Sequence, residues 1–168
     1  FVNNNAADVK TGNQEATLPN ITIDQLKKFG GGEGDVVKDY NAVNHKINIP
    51  VKASSAKGIT KIYVLLYRKD QGIYKPAYPS TVNCLAKCAS DGVCNLIGTV
   101  DVNQEIYPSE KLIPWDTSLC DNGDYRIIAK AEDNGGNSKS GDYQIDITLF
   151  NPNPPPPPPS PTELLNLV

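Results

Sequence analysis

Four cysteines, Cys84, Cys88, Cys94 and Cys120, carry the most reactive chemistry in this sequence, at a spacing of C-x3-C-x5-C-x25-C. A zinc site calls for C-x2-C knuckles or histidine partners. No C-x2-C is present, and the one histidine, His45, lies far upstream. The spacing supports two disulfides, which imply an oxidising compartment. Four cysteines allow three pairings. Ser90-Asp91-Gly92 makes a tight turn between Cys88 and Cys94. That turn favours a Cys88–Cys94 link, with Cys84–Cys120 tying a long loop to the body.

The remaining reactive side chains fall into no catalytic pattern. His45 sits in the polar stretch from Asn41 to Lys46, with no G-x-S-x-G motif beside it. It reads as a solvated side chain. Glu105, Glu110, Asp116, Asp121 and Asp124 are scattered, without the pairing that marks glycoside hydrolysis. Gly30-Gly31-Gly32-Glu33-Gly34 lacks the lysine and the helix of a phosphate loop. The expectation is a protein that is not an enzyme and holds no cofactor and no metal. Asn20-Ile21-Thr22 is a glycosylation sequon, in keeping with secretion.

Tyrosines form the most suggestive surface. On the run from Ile59 to Arg68, one face carries Ile62, Val64 and Leu66, and the other carries Tyr63, Leu65 and Tyr67. Tyr74 and Tyr78 follow soon after. A sandwich strand normally hides one face only. Either the cysteine-bearing loop folds over the tyrosine face, or Tyr63, Tyr67, Tyr74 and Tyr78 form an aromatic interface for a sugar or a neighbouring subunit.

These groups must be positioned by strands. Between residues 20 and 150 the apolar pattern has period two. Ile21 and Ile23 alternate with polar neighbours, as do Ile47, Ile49, Val51 and Ala53. Pro50 in the latter run predicts a bulge or an exposed edge. Ile59 to Arg68, Leu96 to Val102, Leu112 to Thr117, Tyr125 to Ala131 and Tyr143 to Leu149 complete the set. No segment reads as a long helix. About seven strands with turn-rich links predict an antiparallel β-sandwich. Gln71 to Asn95 reads as one long irregular loop that the cysteines staple.

The chain has 168 residues, suited to one folded domain, and a net charge of -3 from 16 Lys+Arg against 19 Asp+Glu. Such a balance offers no electrostatic footprint for nucleic acid, and no apolar run is long enough for a membrane span. Met is absent, so Phe1 reads as a processed start, and no secretory leader is visible. Residues 1–18 read as an extended arm. Residues 19–150 read as the sandwich, and 151–168 as a polyproline linker with an apolar tail. Pro154 to Pro159 is an unbroken run that favours a stiff polyproline II rod.

One stretch goes beyond fold class. Asp121-Asn122-Gly123-Asp124-Tyr125-Arg126-Ile127 has the form D-x-G-x-Y-x-C with isoleucine in the cysteine position. In immunoglobulin folds this segment is the tyrosine corner. Trp115-Asp116-Thr117, this corner, and Ala129-Lys130-Ala131-Glu132-Asp133 through Gly136-Asn137 together resemble the end of a bacterial or archaeal Ig-like surface domain, related to cadherin and fibronectin III modules. The resemblance spans about residues 19–150. It implies that Ile127 fills the place of the missing inter-sheet disulfide, facing Ile49 or Val51. It carries no catalytic residues. Ala131-Glu132-Asp133-Asn134-Gly135 also has the A-x-D-x-G form of calcium-binding cadherin repeats. No acidic cluster follows the last strand, and calcium needs six to eight oxygens. Asp133 to Asn137 therefore reads as a turn.

The expected function is structural: an extracellular or cell-surface spacer, or a subunit of a surface protein, adhesin or filament. Its partners would be other domains of the same protein or identical subunits, joined head to tail by strand addition. The alternative is a carbohydrate-binding or accessory module of a secreted hydrolase, with a glycan as partner.

Overall fold

The computed structural model describes residues 17–32, 34–85, 88–89, 91–152 and 156, and for residues 140–142 the backbone alone. Most of the N-terminal arm and of the proline segment lies outside the described residues. Among the described residues nine strands run in chain order: β1 (Asn20–Ile23), β2 (Lys27–Lys28), β3 (Lys46–Ser54), β4 (Ile59–Asp70), β5 (Ile73–Pro76), β6 (Leu96–Glu105), β7 (Lys111–Asp116), β8 (Gly123–Asp133) and β9 (Ser138–Leu149). A short 3-10 turn at Thr117–Leu119 follows β7. No α-helix occurs among the described residues, and no helix there is long and apolar enough to cross a membrane.

The strands form two antiparallel sheets. In the first, β7 lies along one edge of β3, while β1 and β2 follow one another along the other. In the second, the order runs β4, β8, β9, with β5 and β6 sharing the outer edge of β4. The alternating residues named above meet between the sheets. Ile49, Val51, Ile62, Val64, Tyr125 and Ile127 are fully buried, and Trp115, Ala129 and Ile147 nearly so. Ile145 is half-buried and packs against this core. Each full burial of an aliphatic side chain stabilises the fold by about 1.5–3 kcal/mol.

Pro50 departs from the expectation of an exposed edge. It is buried in β3, the central strand of its sheet. Its carbonyl accepts from Asp24 N at 3.0 Å, so its missing N–H faces the β1–β2 side. That is where the neighbouring strand breaks, between Ile23 and Lys27. The defect caused by proline is thus displaced onto its partner.

The stretch from Gln71 to Asn95 is less irregular than expected. β5 pairs back on β4 through the two-residue turn Gln71-Gly72, both at positive φ (49° and 81°). Two such residues build the hairpin turn whose twist matches the strands.

A strap completes the second sheet. Val43 makes a parallel bridge to Leu149. Thr148 N donates to Tyr40 O at 2.7 Å, Val43 N to Thr148 O at 3.0 Å and Phe150 N to Val43 O at 3.0 Å. The register sets two poles. Thr17 enters beside Ser55 and Ile106. The chain leaves at Asn151, beside Asn122 and Thr117. β4, with 12 residues, puts about 40 Å between the poles at the usual rise per residue.

Candidate functional site

The exit pole gathers several side-chain hydrogen bonds around one tyrosine. Tyr125 ends its buried side chain in a hydrogen bond from Oη to Asp121 O at 2.9 Å, the geometry of a tyrosine corner. Trp115 packs edge-on against its ring, with centroids 6.4 Å apart at 73°. The Arg68 guanidinium lies 5.7 Å from the same ring centroid and donates to Asp121 Oδ2 at 3.3 Å and Thr81 O at 3.0 Å. Burial pushes the Tyr125 hydroxyl up to about 12, with smaller opposing influences from Arg68 and Asp121.

The chain departs from this corner through an amide clamp. Asn151 N donates to Asn122 Oδ1 at 2.6 Å, and Asn122 Nδ2 returns a bond to Asn151 O at 3.0 Å. The Asn151 side chain donates to Thr117 O at 3.3 Å and Cys120 O at 3.1 Å. Asn83 Nδ2 reaches both Asp121 Oδ1 at 3.1 Å and Pro156 O at 2.7 Å. A proline has no amide hydrogen, so its carbonyl is the one backbone group left to hold. Cys84 is bonded to Cys120 directly beside this contact, and Cys88 to Cys94. No described cysteine is free.

The four tyrosines do not form one open surface. Tyr63 is 6% exposed, and its hydroxyl lies 3.2 Å from Glu132 Oε2. Lys61 and Lys130 flank its ring at 5.1 and 5.2 Å. Burial first, then the nearby Glu132 carboxylate, pushes its hydroxyl up to about 12. Tyr67 and Tyr74 are half-buried. The Arg126 guanidinium lies 4.0 Å from the Tyr74 ring centroid and is itself held by Asp146 at 2.7 and 3.0 Å. Tyr78 is exposed and lines a separate groove of about 650 Å³ with Arg68, Lys75 and Thr81. Cations already lie against the Tyr63 and Tyr74 rings. Of the four, Tyr63 is buried, and Tyr67, Tyr74 and Tyr78 keep exposed surface.

Asp133 serves the β8–β9 turn. Its buried carboxylate accepts from Ser55 Oγ at 2.8 Å, Gly135 N at 2.9 Å and Asn137 N at 3.0 Å. Burial alone would raise its pKa. The Ser55, Asn137 and Gly135 donors outweigh it and hold the group below the usual carboxylate range. Those oxygens face N–H and O–H donors, which a cation would have to displace. Three more of the carboxylates are likewise engaged. Glu110 pairs with Lys27 at 3.0 Å, Asp116 accepts from Ser118 N at 3.1 Å and Asp124 from Thr148 Oγ1 at 2.7 Å. Among the described residues, no group of three or more His, Cys, Asp or Glu side chains is placed to hold a metal. His45 is half-buried beside the start of β3, and its carbonyl accepts from Thr117 Oγ1 at 2.6 Å. Asn20 opens β1 with its side chain exposed at the entry pole.

The clamp residues Asn83, Asn122 and Asn151 were not legible beforehand. Asn122 lies inside the corner motif, and Asn151 directly follows the last apolar alternation. An asparagine between a strand and a proline run is the one available signal, and it is weak.

The chain is thus an all-β, two-sheet antiparallel sandwich carrying two disulfides. No protein-family model and no curated protein matches the chain. Among solved structures, the PmoD soluble domain from Methylocystis sp. ATCC 49242 (Rockwell) is similar at 9% identity and a TM-score of 0.42, over 79% of this chain and 90% of that one. A likeness of that extent bears on neither activity nor partners.

Proposed function

We propose that the chain is a structural extracellular module of Ig-like type, a spacer or subunit of a surface protein, adhesin or filament. One observation carries the reading: the chain enters at one pole and leaves at the other, through a clamp that ties its exit to the tyrosine corner. A module built this way adds its full length to whatever it joins. The two disulfides fit an oxidising compartment. Assembly of identical subunits would use the outer edge of β9 upstream of the strap, where Gln144 and Asp146 precede the strapped Thr148. An added strand fits such an edge. The carbohydrate-binding alternative is less well supported, because Lys61 and Lys130 already lie against the Tyr63 ring and Arg126 against the Tyr74 ring.

The test combines size and binding. Small-angle scattering of the full chain is expected to give an elongated particle. Light scattering of the full chain, and of chains lacking 1–18 or 152–168, reports whether either end drives assembly. The same sample is expected to give no saturable binding on a glycan array. Saturable sugar binding lost in Tyr78→Ala, or a compact particle whose termini lie together, would overturn the reading.

A further inference from the structure

We propose that Asn20 is an N-glycosylation site whose first sugar packs against Tyr107. The inference rests on the extracellular reading above for access to the modifying machinery, and on separate observations for the site itself. Asn20-Ile21-Thr22 is the one N-x-[ST] triplet in the sequence. Its chemistry needs an asparagine amide and, two residues on, a hydroxyl. β1 presents both on one side: Ile21 and Ile23 point into the core at 2% and 9% exposure, so Asn20 and Thr22 leave on the outer face.

The surroundings fit a sugar. Two shallow grooves, of about 310 Å³ and about 490 Å³, flank Asn20. Asn20, Ser54 and Tyr107 line both. Tyr107 is 82% exposed, the most exposed large apolar side chain among the described residues. Its segment is held in place by the bond from Ser55 N to Ile106 O at 3.1 Å. Nothing in the sandwich explains an aromatic ring held out into solvent beside an exposed sequon. A pyranose offers a face of C–H groups that packs on such a ring, while the phenol hydroxyl stays wet. Further along the same face, Lys52 and Glu110 offer polar partners for the rest of a chain of sugars.

The modification balances with a lipid-linked phospho-oligosaccharide as donor. The Asn20 amide nitrogen attacks the anomeric carbon. The C–N bond forms, the anomeric C–O bond to phosphate breaks, and the lipid phosphate leaves. The amide gives up one proton, which passes to the departing phosphate or to water. The resulting glycan stands beside β1, an edge strand, and blocks edge-to-edge pairing there.

The experiment secretes the full chain from a yeast or insect line and measures intact mass before and after peptide-N-glycosidase. The parent chain is expected to lose mass on treatment. Asn20→Gln and Thr22→Ala are expected to run unmodified throughout. A secreted, fully disulfide-bonded chain with unmodified Asn20 would overturn the site and leave the structural reading standing. The platform is tested by Tyr107→Ser, which removes an exposed ring and spares the core. In the glycosylated chain this substitution is expected to lower the melting midpoint by about 2–4 °C more than in the enzyme-treated chain. Equal shifts in both forms would overturn the role of Tyr107.

Discussion

Replacing Tyr125 by phenylalanine separates two consequences of the corner that have opposite signs. Near neutral pH the substitution removes the bond from Oη to Asp121 O at 2.9 Å. A neutral hydrogen bond of this kind contributes about 0.5–1.5 kcal/mol. The freed Asp121 carbonyl is on a half-buried residue and regains water, which keeps the cost within that range. Tyr125→Phe is therefore expected to be about 1 kcal/mol less stable at pH 7. At high pH the order reverses. Burial raises the Tyr125 hydroxyl to about 12, whereas an unfolded tyrosine ionises near 10. The folded state then binds its proton more tightly, and its stability falls as pH rises from about 10 to about 12. The loss is about 1.4 kcal/mol per pH unit across that window. Phenylalanine has no such proton to lose. The two stability curves are expected to cross near pH 11, where the alkaline loss of the parent chain has reached about 1 kcal/mol. Urea unfolding followed by tryptophan fluorescence, from pH 7 to 12, gives both curves. Tyr63 is present in both proteins and does not affect their difference. A constant gap with no crossing would refute the claim that the hydroxyl is held in a water-poor corner.

Ile127→Ala removes a side chain with no exposure from the core between the two sheets, and is expected to cost about 2–5 kcal/mol in denaturant unfolding. Asn151→Ala deletes the donors to Thr117 O and Cys120 O and is expected to cost about 2 kcal/mol, with faster amide exchange at Thr117–Cys120. Asp133→Asn keeps one oxygen for the Gly135 and Asn137 amides but sets its N–H group where Oδ2 accepts from Ser55 Oγ and Asn137 Nδ2, so it should destabilise the fold by about 2 kcal/mol at pH 7. The parent carboxylate, held below its usual range, stabilises the fold above about pH 4. That contribution is lost as pH falls through the folded pKa, so the acid limb of Asp133→Asn should be flatter in a pH series of urea midpoints.

The strands were legible because each half-buried strand writes its burial as an alternation. Ile47, Ile49, Val51 and Ala53 announce β3 whatever lies beside them. The hairpin turn was hidden because glutamine at positive φ is rare, so Gln71-Gly72 lacks the Asn-Gly signature. β2 was hidden because Lys27 and Lys28 carry no apolar pattern and owe their pairing to Asn48 and Ile47 in β3. The strap depends on backbone groups of Tyr40, Val43 and Thr148, far apart in sequence. Backbone bonds leave no mark on residue type. The corner was legible through Tyr125, whose large ring and single hydroxyl suit few other environments. The amide clamp was not, because asparagine suits many turns equally well.

The strap gives the fold a mechanical character. It runs parallel to β9 and is reached from the entry pole, while β9 leads out through the exit pole. Tension between the two ends would draw these segments past one another along their length. The three bonds that join Tyr40 and Val43 to Thr148 and Phe150 lie across that pull. They would share the load together, as rivets in a lap joint do, where a hairpin pulled from one end would give up its bonds singly like a zip.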